Sequence, residues 1–350
     1  MPTVYIHIGQ HRTGTTSLQN FLAANRNVLY EKGFIYPEFL KPASSHFFAW
    51  HCGFGNRNLT NEEHEQVRAV LQKTKREALE NSKDILISSE ILFSNIRKSA
   101  LKKIREQFTG FDVKIICYLR RQDEYIQSYY TQYIKYGNTL DVNAYVKRKM
   151  FRWYHRFLPP AFNWYNKLKP YASVFAKENI FIRPFEKQQL EGGDVVADFL
   201  YLLGIDKGGL TIPDQYDNAS FPAEGIQLLR YLNSVMPVKN SSKGDGQKTR
   251  RYVEILERYY SRNESGQKQG ISPTKCKAIA KRFANGNRKI AQEFTGTKDE
   301  ILFMGSIAEN NSGNESIDMD QQEIIQLLVK ILSDQHQEIK YLERNKGSLS

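Results

Sequence analysis

From Val4 to Ile8 the chain runs through β-branched and aromatic residues with His7 as the one polar member, a pattern that predicts a buried strand. The run opens into Gly9-Gln10-His11-Arg12-Thr13-Gly14-Thr15-Thr16-Ser17, a turn rich in glycine and hydroxyls. Leu18, Phe21 and Leu22 then recur at helical spacing, and Gly33 supplies a stop. The opening unit is therefore strand, loop, helix.

Three more strands are expected. Asp84–Ser89 follows a charged helical pattern over 61–81. Val113–Leu119 is nearly all apolar, as a strand covered on both faces must be, and Asn179–Pro184 supplies the last. After Arg120-Arg121 a helix is predicted, with Asp123 and Glu124 in its first turn, where they favour the macrodipole. Ile126, Tyr129, Tyr130, Tyr133 and Ile134 fall on one of its faces. This alternation predicts the α/β class: a mostly parallel central sheet with helices on both faces, plus a C-terminal helix.

Residues 136–171 are aromatic and basic, with Lys147 to Arg156 the densest part. That segment reads either as an amphipathic helix docked on the core or as the wall of an acceptor cleft. Ser241–Lys248 reads as a polar loop. Residues 1–305 are expected to form the α/β domain, 306–320 a linker, and 321–345 an amphipathic helix. In that helix Ile325, Leu328, Leu332, Gln335, Ile339 and Leu342 alternate three and four apart. The seam suits a homodimer or a helix folded back on the domain.

Composition narrows the partners. Lys and Arg number 50 against 38 Asp and Glu, a formal charge of +12, which favours nucleotides, acidic glycans, nucleic acid or a membrane surface. Three scattered cysteines exclude a disulfide framework or a Cys-rich zinc site and suit a reducing compartment. The first residues lack the basic and apolar regions of a signal peptide, and no apolar run approaches the ~18 residues of a membrane span. The expectation is a soluble, cytoplasmic protein, with contact between its basic face and the inner membrane surface left open.

Gly9-x4-Gly14 between a strand and a helix invites comparison with the Walker A loop, but Thr15 stands where that loop needs Lys. A triphosphate site with Mg²⁺ is thereby disfavoured. Backbone N–H groups at a helix start, the hydroxyls of Thr13, Thr15, Thr16 and Ser17, and the Arg12 cation still make an anion cradle. Arg120 at a strand end and Ser128 eight residues later can grip a second phosphate, the first as a fork and the second as a neutral donor. Two anion pockets on neighbouring strand ends lie where α/β folds place their ligands.

At these residues the chain resembles the sulfotransferases that use 3′-phosphoadenosine 5′-phosphosulfate (PAPS), in particular a bacterial sulfotransferase-like group. His7 to Gln19 is similar to the family's 5′-phosphosulfate loop, and Tyr118 to Tyr130 to its 3′-phosphate motif. These motifs cover about the first 135 residues. Further on, Ile182-Arg183-Pro184-Phe185-Glu186 and Asp198-Phe199-Leu200 are only loosely similar. The resemblance implies that His11, Arg12, Thr13, Gly14, Thr15, Thr16 and Ser17 hold the 5′ end of PAPS. It implies that Arg120 and Ser128 hold the 3′-phosphate, with no metal required. Arg12 stands where the family usually has Lys; it keeps the charge but gives up a proton less readily.

Sulfuryl transfer then needs cationic stabilisation of the leaving phosphate, assigned to Arg12, and a base for the acceptor hydroxyl. His46, beside aromatics, is the first candidate for that base, and Glu90, at the end of a strand, is the second. His51 and His11 are weaker, and His7 reads as structural. The acceptor implied by analogy is a saccharide or a glycolipid precursor, and no nucleic acid is expected. The competing readings are a P-loop kinase-like enzyme and a non-enzymatic protein that binds nucleic acid or acidic glycans.

Overall fold

The computed structural model describes residues 1–151, 162–211, 221–236, 253–260, 270–297, 300–307 and 320–346. In chain order the elements are β1 (Thr3–His7), α1 (Thr15–Ala24), α2 (Arg26–Glu31), β2 (Phe34–Ile35), α3 (His46–His51), α4 (Asn61–Glu80) and β3 (Asp84–Ser88). There follow α5 (Lys98–Gln107), β4 (Asp112–Leu119), α6 (Gln122–Lys135), α7 (Val142–Phe151), α8 (Trp164–Phe175), β5 (Ile180–Pro184) and α9 (Val195–Leu203). The last are α10 (Ala223–Val235), α11 over 253–260, α12 (Pro273–Ile290) and α13 (Gln321–Lys346).

Two compact units are interleaved along the chain. The first comprises Met1–Tyr125, Arg156–Tyr216 and Ile279–Gly305, and the second Ile126–His155, Asp217–Ala278 and Ser306–Ser350.

The first unit is α/β, with a five-stranded sheet in the order β2-β3-β1-β4-β5 in which every neighbouring pair is parallel. β1 is the middle strand. Because all strands point the same way, the chain leaves β3, β1 and β4 at one edge, which brings Glu90, the Gly9–Gly14 turn and Arg120 to a common rim. β4 is buried from Ile115 to Leu119, matching its continuous apolar run. Helices flank the sheet. On one face Leu18, Phe21 and Leu22 of α1 pack in a cluster with Ile116, Tyr118, Phe199 and Leu200. Burying each such side chain contributes roughly 1.5–3 kcal/mol.

Two local features depart from the sequence expectation. β2 was not foreseen, because two residues are too short to display a period. The run predicted as one helix up to Gly33 breaks at Asn25. There the side-chain amide donates to Phe21 O (2.8 Å) and Thr211 O (2.7 Å), and its oxygen accepts from Thr211 N. A contact 186 residues distant overrides the local preference.

In the second unit Tyr145 packs against Tyr130 and Tyr133, at 5.2 and 4.8 Å between ring centroids. Asn233 donates to the carbonyls of Ile134 and Asn138. The predicted face of α6 holds for Ile126, Tyr130 and Ile134, which are buried, while Tyr129 is exposed. In α13 the buried stripe is Ile324, Leu327 and Ile331, leaving Ile325, Val329 and Leu332 exposed. The Ser241–Lys248 loop, most of the 306–320 stretch and the later half of the Lys147–Arg156 segment lie outside the described residues. Among the described residues no helix is long and apolar enough to cross a membrane.

Candidate active site

The turn after β1 stays tied to the sheet. Ile8 N donates to Ile116 O (2.9 Å), Tyr118 N to Gly9 O (2.8 Å) and Gln10 N to Tyr118 O (3.0 Å), so the β1–β4 ladder continues into the loop. Gly9 has φ +91°, and a Cβ there would lie 2.7 Å from the Cβ of Glu90. Only glycine lets the loop and the β3 end approach so closely. Arg12 and Gly14 also take positive φ, 67° and 72°, which turns successive N–H groups inward ahead of α1. α1 has no side-chain cap and no acidic residue in its first turn, so its leading amides and the positive end of its dipole are not neutralised from within.

The loop's hydroxyls do different work. Thr13 is fully buried and donates its hydroxyl to Gln10 O (2.7 Å), so this side chain braces the loop. Thr15 is buried, whereas Thr16 and Ser17 are exposed on the first turn of the helix. His11 Nε2 meets Ser94 Oγ at 3.0 Å. Burial pushes its imidazole below the ordinary value, against the pull of Glu90.

Arg120 closes the loop from the β4 side. Its guanidinium Nη1 donates to Arg12 O (3.0 Å), and its backbone N–H donates to Gln10 Oε1 (2.7 Å). Its charged head lies over the Phe185 ring at 5.4 Å and within 3.5 Å of Glu124. Trp164 Nε1 holds the Arg120 carbonyl. The sequence pairs Arg120 with Arg121, yet their surroundings differ. Arg121 is buried in a fork with Asp123 (2.7 and 3.0 Å) and donates to Gly305 O, so it and Asp123 are structural. Ser128 is half-buried on the part of α6 that belongs to the second unit, so the first unit by itself unites Arg120 with the loop and does not include Ser128.

On the β3 side, His46 begins α3 and sets Nδ1 2.8 Å from Ser89 Oγ and Nε2 3.6 Å from Glu90 Oε1. Gln19 from α1 donates to the other Glu90 oxygen at 2.8 Å. Burial lowers the His46 pKa, opposed by the Glu90 carboxylate and assisted by Lys41, so the ring is neutral at neutral pH. Burial alone would raise the Glu90 carboxyl, but His46, its own backbone amide, Gln19 and His11 together hold it below the ordinary value. The pair is thus a carboxylate beside a neutral imidazole. His7, by contrast, is wholly buried against Ser88 in the sheet, and its imidazole is pushed down to about 4. His51 lies at the far end of α3 and pairs with His64.

Several residues of this site carry no sequence signal of their own. Gln19 lies inside the loop-helix stretch, but nothing in its spacing announces a partner 71 residues away. Lys167 of α8 is half-buried, donates to Phe93 O (2.9 Å), and is lowered to about 8 by its desolvation; it is near enough to His11 to depress it. The two loosely similar stretches meet at a buried carboxylate: Asp198 accepts from Arg183 and from Tyr118 OH (2.9 Å). Just before Asp198, Val195 packs where a Gly14 side chain would stand. Among the described residues, no group of three or more His, Cys, Asp or Glu side chains is arranged to hold a metal.

No family model matches the chain. An uncharacterized protein of Archaeoglobus fulgidus is 28% identical over 218 residues, which is 62% of this chain and 55% of that protein. The chain thus spans about half the length of the curated relative it matches. A sulfotransferase from Alicyclobacillus acidocaldarius is 17% identical, covering 62% of this chain and 89% of its own, with a TM-score of 0.36. Likeness at that level assigns no activity.

Proposed function

We propose that the chain is a PAPS-dependent sulfotransferase acting on a hydroxyl acceptor, a saccharide or a glycolipid precursor. The observation that carries this reading is the clasp between Arg120 and the Arg12 carbonyl. It sets a cation at the β4 end directly against the anion loop at the β1 end.

The residues fit a doubly anionic nucleotide. The leading amides of α1 lack an internal acid or cap, and Gln10 Nε2 is a buried donor without a partner inside the loop. Arg12, Gly14, Thr15, Thr16 and Ser17 would hold the 5′ end, with Thr13 keeping the loop in shape. Arg120 would hold the 3′-phosphate, the role that the resemblance gives it along with Ser128. PAPS supplies a sulfuryl group on a good leaving phosphate.

The protein's own residues do the rest. A proton on His46 Nδ1, donated to Ser89 Oγ, leaves Nε2 to accept the hydroxyl proton of the acceptor as its oxygen bonds to sulfur. Glu90, braced by Gln19, then stabilises the imidazolium. The S–O bond to the phosphate breaks in line, and the Arg12 charge takes up the developing negative charge without giving up a proton. Glu90 itself is held at low pKa and is the poorer base.

The test is calorimetric titration with adenosine 3′,5′-bisphosphate in EDTA. Binding is expected for the wild type and a loss of about tenfold or more for Arg120→Ala, the scale of a charge-assisted contact. Absence of binding, or binding of ATP only when Mg²⁺ is added, overturns the reading in favour of a kinase-like or non-enzymatic role.

A further inference from the structure

A cavity opens on the first unit beyond α3, with a volume of about 450 Å³, within the roughly 300–1,000 Å³ range of small-ligand sites. Three cations line it: Arg57, Arg97 and Lys103. No carboxylate does, although Glu63 pairs with Arg57 from outside at 2.5 Å. Asn56 and Asn58 add amide groups to the wall. His51, on the wall, adds none of the charge. His51 and His64 set Nδ1 against Nδ1 at 2.8 Å, so one ring donates and the other accepts. Burial, then the charges of His64, Arg68 and Lys103, hold His51 down to about 4.

Arg57 is held in place from below. Its guanidinium lies 4.6 Å from the Phe47 ring centre and 4.8 Å from that of Trp50, which fixes the fork before any ligand arrives. The same contact occupies a face of Trp50, so the cavity offers fixed cations and amides in place of an open stacking platform. That chemistry suits a hydroxylated ring bearing a carboxylate or sulfate, and it does not suit a nucleobase, which needs an aromatic face. Trp50 is also the wall shared with the candidate base: its ring lies 5.8 Å from that of His46, one helical turn earlier.

We infer that this cavity binds an anionic sugar residue of the acceptor, so that the neighbouring residue of the same glycan presents its hydroxyl to His46. The inference rests on the sulfotransferase reading for its orientation, but the anion site stands on its own residues. It makes the acceptor an acidic oligosaccharide rather than a neutral one.

The test uses tetragalacturonate and a chondroitin sulfate tetrasaccharide as acidic probes, maltotetraose as the neutral one, and a single-stranded oligonucleotide. Affinities are measured for the wild type, Arg97→Ala, Lys103→Ala and the double variant. Both residues are exposed, and folding is checked by circular dichroism. At least one acidic probe is expected to bind, maltotetraose to bind at least tenfold more weakly, and each substitution to weaken the acidic probe by about tenfold. Adenosine 3′,5′-bisphosphate affinity should not change. Failure of both acidic probes, equal binding by the variants, equal affinity for maltotetraose, or preference for the oligonucleotide overturns the inference. If bisphosphate fails to bind while the acidic probe still depends on Arg97 and Lys103, the donor assignment falls and the acidic-sugar site remains.

Discussion

Arg120 reaches the Arg12 carbonyl through its guanidinium and the Gln10 side chain through its backbone amide, over 3.0 and 2.7 Å. The end of one strand thus holds both arms of the turn that ends its neighbour. The Arg120 contacts shape the loop as well as supplying charge to it, so the two contributions can be separated by substitution.

Arg120→Lys keeps the charge and the backbone donor but loses the planar fork. We expect bisphosphate affinity between that of the wild type and Arg120→Ala, with a lower thermal midpoint than the wild type because the Arg12 carbonyl loses its partner. Calorimetry with a melting curve checks this; affinity equal to that of the alanine variant would mean that the fork, and not the charge, binds the phosphate.

Arg12→Ala should act differently. A charge needed mainly as the phosphate departs lowers turnover far more than ground-state affinity. We expect kcat to fall by about 100-fold or more, on the scale of a lost electrostatic donor, with bisphosphate affinity changed by less than about tenfold. Parallel measurement of kcat and Kd decides, and equal losses in both would make Arg12 a simple binding residue.

Glu90→Gln removes a negative charge that pulls the His46 pKa up, while keeping an oxygen for Gln19 to donate to. The imidazole should therefore titrate still lower. The rate falls as pH drops through that value, so the acid limb of the kcat profile should shift to lower pH, with a smaller plateau because the imidazolium has lost its neighbour. His46→Ala should abolish the limb. Unchanged turnover in His46→Ala would transfer the role of base to Glu90.

His7 predicts a stability effect with no bearing on chemistry. Its folded pKa of about 4 lies below the ordinary 6.5, so the unfolded chain takes up a proton first as pH falls. The neutral ring's contribution is complete above 6.5 and is lost as pH descends towards 4. Between pH 7 and pH 5 this amounts to about 2 kcal/mol. Urea unfolding at the two pH values should show that difference shrinking in His7→Gln; an unchanged difference would place the acid sensitivity elsewhere.

What the sequence made legible divides by range. The β1 run, the glycine turn and the α1 face are local patterns, and they predict the anion loop; the nearly all-apolar β4 run predicts a strand covered on both faces with Arg120 at its end. Thr60 with Glu63 forms the capping box at the start of the predicted charged helix. The long-range partners left no such trace. Gln19 with Glu90, Asp198 with Arg183, and Asn25 with Thr211 are each ordinary polar residues until the fold brings them together. The Arg12 carbonyl, a backbone atom, could not announce itself at all.

Gln10 ties three things at once: its amide to Tyr118, its carbonyl to Thr13 and its side chain to Arg120. A turn moored at so many points forgoes adaptability. It cannot reshape itself around a nucleotide whose phosphates are differently spaced, so discrimination among nucleotides should be steric and set in advance, with little folding-up on arrival.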